Sequence, residues 1–132
     1  MFVLDTNACI KILNNASPLL VSRLKSHHPS QILLSSVVKA ELLYGARKSE
    51  RSAQNLRVLQ EFFAPFRSLA FDDACSQQYA IIRAELEREG KPIGPYDMMI
   101  AATAIAHDRT LVTHNTDEFS RVSGLKWEDW EA

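Results

Sequence analysis

The sequence predicts an α/β fold in which a parallel sheet of four to five strands is covered by helices on both faces. Three observations carry that expectation. Short apolar runs alternate with stretches of helical periodicity along all 132 residues, the order that gives parallel pairing and right-handed crossovers. The run QILLS, Gln31 to Ser35, is almost continuously apolar in its middle, as a strand buried on both faces must be. Carboxylates recur where strands end or helices begin, which is where open α/β sheets place their ligands.

Each element has its own signal. FVLD reads as a first strand, and Thr6 or Asn7 is positioned to cap a helix carrying Ile10 and Leu13. Ser17 and Pro18 are an N-cap and N1 pair opening a helix with Leu20, Val21 and Leu24 as its apolar stripe; His27, His28 and Pro29 end it. After the second strand, Ser36 is expected to cap a helix that aligns Val38 with Leu42. A charged helix follows over Glu50 to Ala64, with Leu56, Leu59 and Phe63 on one face and Pro65 as its stop.

Leu69 to Phe71 is the expected third strand, and Asp72 or Asp73 caps a long helix on which Cys75, Tyr79, Ile82 and Leu86 share a face. Gly90 suits its C′ position, and KPIGP is a stiff connection. The alanines at 101, 102, 104 and 106 let the helix from Tyr96 to His107 lie close to a sheet. Thr110 to Thr113 is a fourth strand, HNTDEF leads into a short helix, and Leu125 to Trp127 forms a fifth strand.

Length and a hydrophobic fraction of 46% suit one domain over residues 1–132 with a full core. No apolar run approaches the roughly 20 residues of a membrane-spanning helix, and MFVLDTN lacks a basic leader, so a cytoplasmic protein with no membrane partner is expected. Cys9 and Cys75 lack zinc-ligand spacing and read as reduced core thiols. The net charge of -1 leaves any nucleic-acid contact to local patches, the densest being Arg47, Lys48, Arg51 and Arg57.

Asp5, Glu41, Asp97 and Glu118 each have a route to the carboxyl edge of the sheet. Converging carboxylates repel unless a cation neutralises them. Oxygen donors suit Mg²⁺ or Mn²⁺, and zinc is not expected without Cys or His at ligand spacing. Such a site supports in-line attack of water on a phosphodiester, leaving a 5′-phosphate and a 3′-hydroxyl. Thr6 and Asn115 are placed to orient acids or water from outside that set, besides their roles in caps and turns. A phosphoacceptor regulatory domain also uses acids and Mg²⁺ at a sheet edge, but needs a nearby lysine and not acids from four segments.

VLDTN, SSVVKAELLYGARKS, GKPIGPYDMMIAA, LVTHNTDEF and GLKWEDW, in that order and at this length, resemble the PIN-domain ribonucleases, and more narrowly the VapC toxins. The resemblance implies a three-layer α/β/α sandwich with sheet order 3-2-1-4-5 and metal-binding acids at Asp5, Glu41 and Asp97. Matching Thr113, Asn115 and Phe119 to the family pattern puts Glu118 in the fourth acid's place, with Asp117 as the substitute. It further implies Mg²⁺-dependent cleavage of RNA, often transfer RNA, which inhibits translation. A homodimer, a VapB-type antitoxin covering the acidic pocket, and DNA contact only through that antitoxin are also implied.

Overall fold

The computed structural model describes residues 1–132 as a five-stranded parallel sheet in the order β3-β2-β1-β4-β5. The strands are β1 (Phe2–Leu4), β2 (Ile32–Ser35), β3 (Arg67–Leu69), β4 (Thr110–Val112) and β5 (Trp127–Glu128). Between them run α1 (Thr6–Leu13), α2 (Pro18–Lys25), α3 (Ser36–Arg47), α4 (Ser52–Phe63), α5 (Asp73–Arg88), α6 (Pro95–Ala106) and α7 (Thr116–Phe119). This is the PIN-like architecture and strand order that the resemblance implies.

The central position of β1 follows from its register. Val3 pairs with Leu33 on one side and with Leu111 on the other, and all three side chains are buried. All four residues of β2 are buried as well, which explains the unbroken apolar run. The edge strands differ: Arg67 and Ser68 are exposed in β3, and both residues of β5 are exposed.

Both edge strands are displaced from their expected positions. β3 lies two residues earlier than Leu69 to Phe71 because its backbone pairs with Leu33 to Ser35 of β2, and an edge position admits polar side chains. Phe71 instead leaves the sheet and meets Tyr79 edge to face, with ring centroids 6.5 Å apart. β5 likewise begins at Trp127, opposite Leu111, and not at Leu125.

Two helix starts also shift. Asp5, and neither Thr6 nor Asn7, caps α1, and Ser35 replaces Ser36 as the cap of α3; in each case the residue leaving the strand has the extended backbone that an N-cap requires. Because α1 starts at Thr6, Ala8 and Cys9 face the core, while Ile10 is exposed. The remaining expectations for caps hold at Ser17, Asp72 and Gly90, the last at φ +67°.

The long α5 buries Cys75, Ile82 and Leu86 against α6, whose Ile100, Ala101, Ala102 and Ala104 are fully buried. Short side chains there let the backbone of α6 approach its neighbours, and that approach fixes where its N-terminus ends. At the other side Trp130 is 2% exposed, stacked on His27 at 4.8 Å and edge-on to Phe2 at 5.1 Å. Trp130→Ala should therefore lower stability by about 3 to 5 kcal/mol; denaturant unfolding showing a loss below about 1 kcal/mol would refute its core role.

Candidate active site

The sheet order reverses between β1 and β4, since the chain goes from β1 to β2 on one side and later returns to β4 on the other. Asp5 stands at the carboxyl end of β1, directly at that switch point. It is only 4% exposed. Its Oδ1 accepts the Ala8 amide at 2.8 Å, so the cap of α1 also fixes the carboxylate's orientation. Burial raises its pKa, while the Thr113 hydroxyl beside it and the Ala8 N–H pull it back towards the ionised form.

Glu41 comes from α3 and is half-buried. Thr6, the first residue of α1, donates its hydroxyl to Glu41 Oε1 at 2.7 Å. That bond ties the carboxylate of one helix to the cap region of another. Asp97 is the third residue of α6, after Gly94 as N-cap and Pro95 at N1. The helix N-terminus favours negative charge there.

Asp97 nevertheless has a pKa raised to about 6, first by burial and then by the charges of Glu118, Glu41 and Asp5. The four sequence-selected acids thus share one electrostatic environment. No three of them bring oxygens within 4.8 Å of one another, the spacing to be expected of carboxylates that repel. All their donors are hard oxygens, a set that suits a divalent cation of the magnesium type. Of the two candidates on α7, Glu118 is half-buried and acts on Asp97, whereas Asp117 is exposed.

Thr113, expected as the last residue of the fourth strand, also bears on the site. It is 1% exposed, its hydroxyl accepts the Asn115 N–H at 3.0 Å, and it lies against Asp5. The signal was present in the spacing Thr-x-Asn, but only the β1–β4 pairing shows which acid it reaches. Asn115 precedes α7 and its side chain does not cap it. His114 turns away to Asp129, with Nδ1 3.0 Å from Oδ2.

Apolar grooves open on either side of Glu41. One, of about 700 Å³, is lined by Val37, Ala40, Tyr44, Phe71, Tyr96 and Met99; the other, of about 480 Å³, by Ile10, Leu13, Leu42, Val58 and Leu59. Arg47, Lys48, Arg51 and Arg57 are exposed and enter no ion pair. No helix is long and apolar enough to cross a membrane.

An α/β/α sandwich with acids gathered at the carboxyl end of its central strand is the frame of a PIN domain, and residues 2–125 match that family. The chain belongs to the PIN-domain family and, within it, to the VapC ribonucleases. It is 43% identical over 129 residues to the tRNA(fMet)-specific endonuclease VapC of Shigella flexneri, covering 98% of this chain and 97% of that one. The crystal structure of DNA-bound VapBC from Salmonella typhimurium superimposes with a TM-score of 0.92 at 40% identity, over 98% and 97% of the two chains. VapBC2 from Rickettsia felis, bound to a promoter DNA fragment, gives 0.91 at 37% identity over 98% of each chain. PIN nucleases generally use a divalent metal.

The raised pKa of Asp97 has a defined sign in stability. A carboxyl whose folded pKa lies above its unfolded value contributes stability below about pH 4, and loses it as pH rises through about 6. In chelator, Asp97→Asn should match the parent near about pH 4 and exceed it near about pH 8, by on the order of 1 to 2 kcal/mol once solvent screening is allowed for. Equal differences at the two pH values, measured by denaturant unfolding, would contradict the electrostatic origin of the shift.

Proposed function

We propose that Asp5, Glu41, Asp97 and Glu118 hold Mg²⁺, with Mn²⁺ able to substitute, and that this centre makes the chain an endoribonuclease acting on transfer RNA in the cytoplasm. All of residues 1–132 serve as one PIN domain in this reading. The observation that carries it is that acids from separate elements, Asp5, Glu41 and Glu118, bring their charges to bear on a partly buried Asp97, a concentration of carboxylates that a bound cation would neutralise. The names of similar proteins support the substrate: the Shigella flexneri relative is a tRNA(fMet)-specific endonuclease. Cleavage of transfer RNA would inhibit translation, which is the toxin's effect.

When bound, the cation supplies charge neutralisation at phosphorus and a more acidic water. The protein's own groups do the positioning. The Ala8 amide and Thr113 hold Asp5 in one orientation, Thr6 does the same for Glu41, and Asn115 offers an uncommitted side-chain amide at the rim. The exposed cations at 47, 48, 51 and 57 offer a track for the RNA backbone. Unlike a phosphoacceptor domain, the site has no free lysine at Asp5: Lys11, the one lysine whose charge it feels, is bonded to Glu131 at 2.7 Å.

The VapBC relatives from Rickettsia felis and Salmonella typhimurium are both bound to DNA, which supports a cognate VapB-type antitoxin for this chain and DNA contact through that antitoxin; assembly as a homodimer belongs to the same reading. The apolar grooves flanking Glu41 would admit an antitoxin segment that blocks the acids.

Cleavage of transfer RNA should require Mg²⁺ or Mn²⁺, stop in chelator, and leave 5′-phosphate ends. Asp5→Asn should reduce the rate by more than the roughly 10- to 100-fold that loss of an outer partner of a metal ligand costs. End-mapping with the purified variant tests this, and undiminished cutting by Asp5→Asn removes that residue from the centre. Thr6→Val, which frees Glu41 but keeps every acid, should fall within that 10- to 100-fold range, with part of the loss recovered by raising Mn²⁺; a rate equal to the parent's would show that the Thr6–Glu41 bond orients nothing.

A further inference from the structure

Asp97 occupies one end of α6, and a cluster of different chemistry occupies the other. Asp72 caps α5, Cys75 lies in the first turn of that helix, and His107 follows the last residue of α6. One ligand atom from each lies within 4.8 Å of those of the other two. His107 Nε2 is 3.7 Å from Asp72 Oδ2, is shielded from solvent, and makes no hydrogen bond. Native proteins leave few buried polar atoms in that condition.

The other two groups are also arranged around the gap. Cys75 is 0% exposed, and its thiol lies 3.6 Å from the Ala70 carbonyl and against the side chains of Asp72 and Thr103. The Cys75 amide donates to Asp72 Oδ1 at 3.1 Å, which leaves Oδ2 for His107. The side chains of His107 and Asp72 are 27% and 48% exposed, so the cluster opens to solvent on the aspartate side.

We propose that Asp72, Cys75 and His107 form a zinc-class metal site that bolts the start of α5 to the end of α6. Ligands at about 2.0 to 2.3 Å from a tetrahedral ion lie roughly 3.4 to 3.7 Å from one another, so the Asp72–His107 separation already suits a shared ion. One thiolate, one imidazole and one carboxylate select a borderline-soft ion such as Zn²⁺ over Mg²⁺. Water completes the four ligands on the open side. Binding breaks the Cys75 S–H bond and releases its proton to solvent, while His107 binds as the neutral imidazole. Ten residues at about 1.5 Å each place the cluster about 15 Å along α6 from Asp97, so it is independent of the nuclease reading.

Cobalt titration of the chelator-treated full chain tests the site, because only a thiolate ligand gives sulfur-to-cobalt charge-transfer absorption and the acidic centre contains no sulfur. The expected result is a band saturating at one equivalent and displaced by Zn²⁺. It should persist in Cys9→Ser, vanish in Cys75→Ser, and need at least about 10-fold more cobalt in His107→Gln. Circular dichroism confirms that each variant is folded, and zinc should raise the thermal midpoint of the parent but not of His107→Gln. No band in the folded parent overturns the site and leaves a plain Asp72–His107 contact; a band surviving in Cys75→Ser overturns it equally.

Discussion

Mutual repulsion among acids collected at one sheet edge is the constraint on which this structure turns. Left to themselves, Asp5, Glu41, Asp97 and Glu118 would move apart, and the fold prevents it by building each on an element whose position is fixed elsewhere. Asp5 is held by the central strand and by its own cap bond. Asp97 is held because the alanine face of α6 packs without slack. The penalty for concentrating charge is met by a core that owes nothing to the site, and the helix N-termini at Asp5 and Asp97 offset part of it.

The same arrangement explains why polar groups beside the acids matter as much as the acids. A buried carboxylate with a free rotamer would escape towards solvent or take up a proton. Thr6 and Thr113 limit both outcomes, the first by bonding Glu41 and the second by favouring ionised Asp5. Burial and the neighbouring charge of Asp5 raise the Cys9 thiol, which remains an inert packing group beside the acids. Net charge near neutrality therefore conceals strong local separation: acids in the hollow, free cations on α3 and α4.

Much of this was legible in the sequence because the relevant signals are local. Strand β2 announced itself through double-sided burial, and α5 through its stripe from Cys75 to Leu86. The acids stood out because each follows a strand or opens a helix. Features set by neighbours across space were harder to read. Hydrogen-bond register, and not hydrophobicity, chose Arg67–Leu69 over Leu69–Phe71 as β3. Asp5 served as cap and candidate ligand together, so the capping role assigned to Thr6 or Asn7 was misplaced. The absence of local Cys/His spacing likewise concealed the meeting of Cys75 with His107, which depends on the antiparallel packing of α5 on α6.

The brevity of the outermost strands has a further consequence. β3 offers three residues, two with outward polar side chains, and β5 offers only two. A visiting peptide seeking to extend the sheet finds almost no ladder to continue, and self-association through backbone edges is discouraged for the same reason. Recognition by other molecules must then be written in side chains on helices and loops. Such surfaces can diverge freely while the five-stranded frame stays the same.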